Sequence, residues 1–83
     1  MIEFDKHAAG CVIRKLRNHK GWSQEVFSGF AGLARSHLAR IEVGTKQPNF
    51  ETIWRIALAF EMSPHALVKL IEEEASRRKS NEQ

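Results

Sequence analysis

Residues 23–44 constrain the fold of this chain more than any other segment, because they read as two short helices joined by a tight turn. Ser23 supplies an N-cap hydroxyl to the first helix, and Gly32 makes the turn that follows it. The second helix spans about 35–43 and stops at Gly44. Its aliphatic side chains lie on one face and its arginines on the other. This pattern predicts a helix that packs through one side and exposes the other.

The rest of the chain is also helical in pattern, and strand signals are weak. Besides the two helices of residues 23–44, we predict helices over about Asp5–His19, over about Phe50–Phe60, and from Pro64, capped by Ser63, to about Arg77. In the fourth helix Phe50, Ile53, Ile56, Ala57 and Phe60 share helical spacing, and the expected core residues of the chain are Leu16, Phe27, Leu33, Leu38, Ile41, Ile53, Ile56, Phe60 and Leu67. Five short helices with short links predict a compact all-α domain over residues 1–77, followed by a polar flexible tail at 78–83.

The composition suits one small folded domain and narrows the chemistry it can carry. The chain has 83 residues, of which 42% are apolar and 28% charged. Cys11 is the only cysteine, which excludes an intrachain disulfide and a cysteine-based zinc site and fits a reduced, cytoplasmic setting. No apolar stretch is long enough to cross a bilayer and no signal-peptide pattern opens the chain, so we expect no membrane partner.

The titratable residues show no pattern typical of a catalytic or metal site. The four histidines are scattered without metal-ligand spacing, and nothing pairs a nucleophile with a base. The acidic run at 72–74 is expected to solvate the fifth helix rather than to bind a metal. We therefore predict no enzyme activity, no metal and no cofactor.

Charge is unevenly distributed along the chain, although the net charge is only +3. Residues 1–47 hold eight Lys and Arg against four Asp and Glu, whereas residues 48–76 hold two against five. A basic first part and an acidic later part suggest that one end of the molecule faces phosphates. A mixed surface that is merely solvated would show the same balance.

The exposed arc of the third helix carries the side chains that could read bases. At about 100° per residue, Ala39, Val43, Ser36 and Arg40 fall within about 140° of Arg35, and Leu38 and Ile41 fall on the opposite side. Arginine can donate two parallel hydrogen bonds to O6 and N7 of guanine, and alanine lets a helix approach the base edges closely. The alternative is that the arginines are ordinary solvated residues of an amphipathic helix.

The spacing of residues around the turn resembles one family. Its motifs are Ser23-Gln24-Glu25, Ala31-Gly32-Leu33, Arg35-Ser36, Leu38, Arg40-Ile41-Glu42 and Gly44, followed by Pro48 and Thr52-Ile53. They look like the phage-repressor type of helix-turn-helix, the Xre/Cro-like family, over about residues 9–70. The resemblance implies a five-helix, lambda-repressor-like DNA-binding domain with the helix-turn-helix at helices 2 and 3.

The resemblance also implies a role for particular residues. Arg35, Ser36 and Arg40 would face bases, and Gln24, Thr45, Lys46 and Asn49 would contact backbone phosphates. Arg17 and Glu42 would form a partly buried ion pair that ties helix 1 to the end of helix 3.

Four positions depart from the family pattern or leave alternatives open. Ala34 stands where a capping hydroxyl or Asp is usual, so the entry to the third helix is looser or Ser36 compensates. Phe30 replaces a surface polar residue, and we expect it to be partly buried. Trp54 is open to a core or an interface role, and Gly29 reflects either close packing or tolerance.

Together these features predict a sequence-specific DNA-binding transcriptional regulator. We expect a homodimer on a near-palindromic operator, with half-sites about 34 Å apart. Helix 5 carries more apolar surface than one small core needs, which assigns Leu67, Leu70 and Ile71 to the dimer interface. The size and organisation of the whole chain resemble those of controller proteins of restriction–modification systems. RNA polymerase is a further candidate partner. The alternative is an antitoxin-like or adaptor domain that binds a protein through the same fold.

Overall fold

The computed structural model describes residues 3–81, which form five α-helices and no strand. The helices are α1 (Ala8–His19), α2 (Gln24–Ala31), α3 (Arg35–Val43), α4 (Phe50–Ala59) and α5 (Pro64–Asn81). α1 packs against α3 and α5, and α4 lies between α2 and α5. No helix in residues 3–81 is both long and apolar enough to span a bilayer. The all-α fold class predicted from the sequence is confirmed.

The helix ends around the turn follow the predicted capping residues. The Ser23 hydroxyl accepts a hydrogen bond from the backbone N–H of Val26 at 3.1 Å. Gly32 ends α2 with φ +70° and Gly44 ends α3 with φ +87°, a left-handed conformation that costs a side-chain-bearing residue energy. At Ala34 no side chain caps α3, as the sequence predicted.

Two helix boundaries were predicted wrongly. α1 begins at Ala8 instead of Asp5, because the Asp5 carboxylate accepts a hydrogen bond from the backbone N–H of His7 at 2.8 Å and forms a turn. α5 continues to Asn81, so residues 78–81 are helical and not part of a flexible tail. The last turn is tied back to the start of the chain, since Arg78 Nε lies 2.8 Å from Asp5 Oδ2. Residues 82–83 of the predicted tail lie outside the described residues.

The core is the one that helical periodicity predicted, with an added contribution from α1. Of the expected core residues, Phe27, Leu38, Ile41, Ile53, Ile56, Phe60 and Leu67 are buried, and Leu16 and Leu33 are half-buried against them. Val12 and Ile13 of α1 belong to the same cluster, as do Ala31 and Ala57. Phe50, which shares their spacing in α4, is the exception, because 72% of it is exposed.

Candidate nucleic-acid interface

The buried side of α3 is held by an ion pair that has two parallel hydrogen bonds. Arg17 Nε donates to Glu42 Oε2 at 2.7 Å, and Arg17 Nη2 donates to Glu42 Oε1 at 2.9 Å. Both side chains are nearly inaccessible, with 11% and 2% of their surface exposed. The hydrogen bond with Glu42 raises the pKa of Arg17, although burial opposes it. The ion pair inferred from the family resemblance is confirmed, and it is more buried than expected.

The remaining donors of this network fix α1 and α2 relative to α3. Arg17 Nη1 donates to the backbone carbonyl of Trp22 at 2.8 Å. Gln24 Nε2 donates to Glu42 Oε1 at 3.0 Å. Gln24, expected to contact a phosphate, therefore already holds the glutamate that anchors α3. Its side chain has a second amide hydrogen, and the predicted phosphate contact stays a prediction.

A close backbone approach of α1 to the end of α3 is allowed by Gly10. A Cβ at this position would lie 2.8 Å from the backbone carbonyl oxygen of Glu42 and closer still to that of Ile41. Any side chain would therefore push the two helices apart. Sequence reasoning missed this residue, and the only signal available was a glycine on the apolar face of a helix.

The outer side of α3 carries the residues predicted to read bases. Arg35, Ser36 and Arg40 are exposed, and Ala39 is half-buried between them. Within residues 3–81 neither arginine makes a side-chain hydrogen bond or an ion pair, so their donors remain available to a ligand. Ser36 also makes no such bond to the open end of the helix, so it does not compensate for Ala34.

The loop after α3 wraps around the end of the helix and presents the predicted phosphate contacts. The Thr45 hydroxyl and backbone N–H both donate to the carbonyl of Arg40, at 3.3 and 3.1 Å. Lys46 is exposed, and its backbone N–H donates to the same carbonyl. Asn49 Oδ1 caps α4 by accepting from Thr52 N–H at 2.8 Å, which leaves the Asn49 amide group for a phosphate. Thr45 and Lys46 are thus bonded to the last turn of α3, whereas Asn49 lies at the start of α4, and their phosphate contacts stay predictions.

The segment before α1 supports this loop, which sequence reasoning did not anticipate. Gln47 Nε2 donates to the backbone carbonyl of Lys6 at 2.7 Å. The His7 ring covers Gly44, where a Cβ would collide with it. The start of the chain thus braces the point at which α3 ends.

Several other sequence predictions are corrected by the structure. Leu67 is completely buried in the core and cannot form a dimer interface. Leu70 and Ile71 are half-buried against the core, and their dimer role stays a prediction. Phe30 is 60% exposed, more than expected, and Trp54 is 47% exposed, which excludes a core position for it.

The acidic run of α5 was predicted to be solvated, and this is wrong for Glu74. Only 6% of its surface is exposed, and it lies against α1. Its carboxylate accepts from Lys15 Nζ at 3.2 Å and from the Cys11 thiol at 3.4 Å, and it pairs with Arg77. Within the described residues no group of three histidine, cysteine or acidic side chains could hold a metal ion.

With this geometry in view, comparison with known proteins gives the family. A model of the helix-turn-helix family HTH_3 matches residues 13–67, more than half of the chain. The chain belongs to this helix-turn-helix family. The matched segment runs from α1 to the first turn of α5 and includes all the predicted DNA contacts. The family is a class of DNA-binding transcription regulators and not a class of enzymes.

Relatives of this helix-turn-helix chain include a phage-derived regulator and a controller protein. It is 28% identical over 57 residues to the SPbeta prophage-derived uncharacterized HTH-type transcriptional regulator YonR of Bacillus subtilis (strain 168), covering 69% of this chain and 53% of YonR. The chain thus spans about half the length of that curated relative. The restriction-modification controller protein C.AhdI from Aeromonas hydrophila is 33% identical, with a TM-score of 0.72 over 76% of this chain and 96% of C.AhdI.

Two more distant structures share the fold. The clp gene regulator ClgR from Corynebacterium glutamicum is 17% identical, with a TM-score of 0.86 over 99% of this chain and 87% of ClgR. A variant of the restriction-modification controller protein C.Esp1396I is 24% identical, with a TM-score of 0.77 over 89% of this chain and 94% of that one. At these identities the likeness concerns the arrangement of the five helices.

Proposed function

We propose that this protein is a transcriptional regulator that binds double-stranded DNA by laying α3 in the major groove. The observation that carries the proposal is the contrast on α3 itself. Its inner side is locked by Glu42 and the core, while its outer side presents Arg35 and Arg40 without protein partners. A helix held in place by its inner side, with guanidinium groups not used within the chain, is suited to bidentate contacts with guanine.

The residues around α3 would position it on the DNA backbone. Lys46 follows the end of α3, Asn49 precedes α4 with its amide group free, and the N-terminal amides of α2 offer a further anion site. Such contacts set the register of a protein on the duplex without reading its sequence. A protein that acts on the chromosome would work in the cytoplasm.

We further propose that the protein binds a near-palindromic operator as a homodimer, and that it is a controller of a restriction–modification system. Support comes from the likeness to C.AhdI, because the match covers 96% of the C.AhdI chain. In this role the concentration of the protein would set operator occupancy. The controller role predicts that adjacent genes encode a restriction endonuclease or a methyltransferase, and a gene neighbourhood with neither would contradict it.

DNA binding is tested by selecting bound duplexes from a random pool with the full chain. The expected product is a set of duplexes with an inverted repeat, and each half-site would span the bases reached by one α3. Affinity for any duplex should fall steeply with salt, because phosphate contacts release counterions. Recovery of unselected sequences, together with no salt-dependent binding, would contradict the proposal.

The alternative function is binding of a protein partner, and exposed aromatic side chains favour it. Phe30, Phe50 and Trp54 are 60%, 72% and 47% exposed, and contiguous apolar surface of this kind marks interaction sites. An antitoxin-like or adaptor domain would use them to hold a different protein, and RNA polymerase is one candidate. If this is the function, the chain should show no measurable affinity for DNA, and substitution of Arg35 should not change its binding to the protein partner.

A further inference from the structure

One face of α4 is apolar and exposed along its length. Phe50, Trp54 and Leu58 are each four residues apart and therefore lie in one row, about 12 Å long. They are 72%, 47% and 58% exposed. The rings of Phe50 and Trp54 meet edge-to-face with centroids 5.9 Å apart, which gives the row a defined shape. Isolated apolar residues on a surface are ordinary, but an ordered row of three large ones is typical of an interface.

A groove beside the row extends the same surface to α2. It has a volume of about 400 Å³, and its lining includes Gly29, Phe30, Leu58 and Ala59. Phe30 forms one wall, held by an edge-to-face contact with Trp22 at 5.1 Å between centroids. We call the set of Phe30, Phe50, Trp54 and Leu58 the α4 surface.

Gly29 keeps the groove open. A Cβ at this position would meet no atom within 4 Å, so the packing of the single chain does not require a glycine there. Glycine inside a helix is nevertheless unfavourable compared with alanine. An occupant of the groove from outside the chain would explain why a side chain is missing at this point.

The size of the α4 surface suits a modest protein interface. Aromatic side chains bury on the order of 150–250 Å² each when covered, so the exposed parts of the four residues amount to roughly 500 Å² per molecule. Two such surfaces together approach the lower end of specific interfaces, about 1,200 Å² in total. A surface of this size on both partners is consistent with a dimer whose formation depends on concentration.

The row is bordered by one acidic and one basic side chain, which can pair with those of a second copy. Glu51 and Arg55 lie on one flank of it, with Arg55 Nη2 and Glu51 Oε2 2.9 Å apart. When two copies of α4 pack antiparallel around Trp54, the same flanks of the two helices face each other. Each Arg55 then lies about 3 Å along the helix axes from both Glu51 and Arg55 of the other copy, and the two Glu51 side chains lie about 9 Å apart. Phe50 of each copy lies opposite Leu58 of the other, at the mouth of its groove.

We propose that the α4 surface is the site at which a second copy of this chain docks, with the two α4 helices antiparallel and Phe50 of each copy inserted in the groove between Phe30 and Leu58 of the other. The proposal rests on the homodimer of the proposed function and places its interface on α4 instead of α5. It also gives Gly29 a role, because the groove must accept an aromatic ring.

The first test measures the association of the full chain without DNA by sedimentation equilibrium. Leu58→Glu should weaken the dimer at least 100-fold, because it places a charge where Phe50 docks. Val68→Glu, which replaces a similarly exposed apolar residue on α5, should leave association unchanged within a factor of three. Circular dichroism should show both variants folded, since both positions are solvent-exposed in the single chain.

Gly29→Leu separates docking from folding, because its two expected effects have opposite signs. The added side chain occupies open space in the single chain and favours the helix, so the melting temperature at dilute concentration should rise. It also fills the groove, so dimer affinity should fall at least 10-fold. Unchanged dimer affinity would overturn the insertion of Phe50.

Mixing two charge variants tests the antiparallel arrangement. The Glu51→Arg protein and the Arg55→Glu protein should each self-associate at least 10-fold more weakly than the parent. An equimolar mixture should form the heterodimer in preference to either homodimer. If the pair acted only within one helix, mixing would give no such preference, and that result would overturn the arrangement.

The remaining outcomes decide between occupants of the surface. A dimer lost in Ile71→Glu but kept in Leu58→Glu would overturn the proposal in favour of α5. A parent chain that stays monomeric at millimolar concentration and on DNA would overturn it in favour of a different protein partner. Neither result bears on the function of α3, because salt-dependent DNA binding by monomeric Leu58→Glu is measured separately.

Discussion

The two sides of α3 differ in what holds their polar groups. On the inner side Glu42 accepts hydrogen bonds from three donors on two side chains, and Leu38 and Ile41 are buried beside it. On the outer side Arg35 and Arg40 have no side-chain partner among the described residues. Under the proposed function, stability and recognition are thus assigned to opposite faces of one nine-residue helix.

This difference explains how such a short helix would serve as the reading element in the proposed function. Isolated helices of this length are marginal in water, so α3 owes its order to the contacts behind it. Because those contacts are complete, the outer residues do not have to contribute to folding. We therefore expect substitutions on the two faces to affect different measurements.

The largest expected effect is on the inner face, at Glu42. Glu42→Ala would leave the buried Arg17 guanidinium without its carboxylate and should destabilise the fold by about 3–5 kcal/mol. Urea unfolding followed by circular dichroism measures this. Glu72→Ala, at an exposed glutamate without an ion pair, is the matched control and should change stability by at most about 0.5 kcal/mol. Equal stability of the two variants would show that the inner network does not hold α3.

The second effect is on the outer face, at Arg35. Arg35→Ala should weaken operator binding by about 1–3 kcal/mol and blur one base position, with unfolding unchanged. Arg35→Lys keeps the charge but loses the bidentate fork, so it should restore salt-dependent affinity without restoring base preference. Gel-shift titrations against single-base operator variants measure both. An Arg35→Ala protein with the parental affinity and preference would show that α3 is not the reading helix.

A third, more uniform effect is expected at the edge of the outer face. Lys46→Ala should weaken binding to all duplexes similarly and lower the slope of log affinity against log salt by about one, because it removes one phosphate contact. Lys69→Ala on α5 has the same change in net charge and should leave the slope unaltered. If Lys46→Ala weakened binding only to duplexes with a particular base, Lys46 would contact a base and not only a phosphate.

The smallest effect is expected where the two faces meet, at the start of α3. Ala34→Ser supplies the missing cap and should stabilise the protein by about 1 kcal/mol, whereas Ser23→Ala should remove the cap of α2 and cost a similar amount. In thermal unfolding, the melting temperature should rise in Ala34→Ser and fall in Ser23→Ala. No gain in Ala34→Ser would mean that the amides at the start of α3 are already satisfied by solvent.

Residues whose role depends on local pattern could be predicted from the sequence. Ser23 and Gly44 mark helix ends through their own side-chain or backbone chemistry, and Leu38 and Ile41 follow from helical period. The Arg17–Glu42 pair, 25 residues apart, was inferred only from family resemblance, because period and capping contain no information on such a contact.

Residues whose role depends on what a neighbouring helix offers could not be predicted. Glu74 looked like one of three solvated acids, but it faces α1, where Lys15 and Cys11 meet it. Leu67 and Phe50 were both apolar and helically spaced, yet one is buried and the other exposed. Period gives the relative directions of side chains on one helix, and it does not say which direction another helix will cover.

The sequence by itself determined five helices, their turns, most of the core and the arc of α3 that carries the arginines, because these depend on interactions within a few residues. The tertiary structure alone decided that Gly10 brings α1 against the end of α3, that Gln24 joins the Glu42 network, and that the apolar row on α4 remains uncovered. Each of these depends on the distance between helices that are far apart in the chain, and that distance is set when the whole bundle packs.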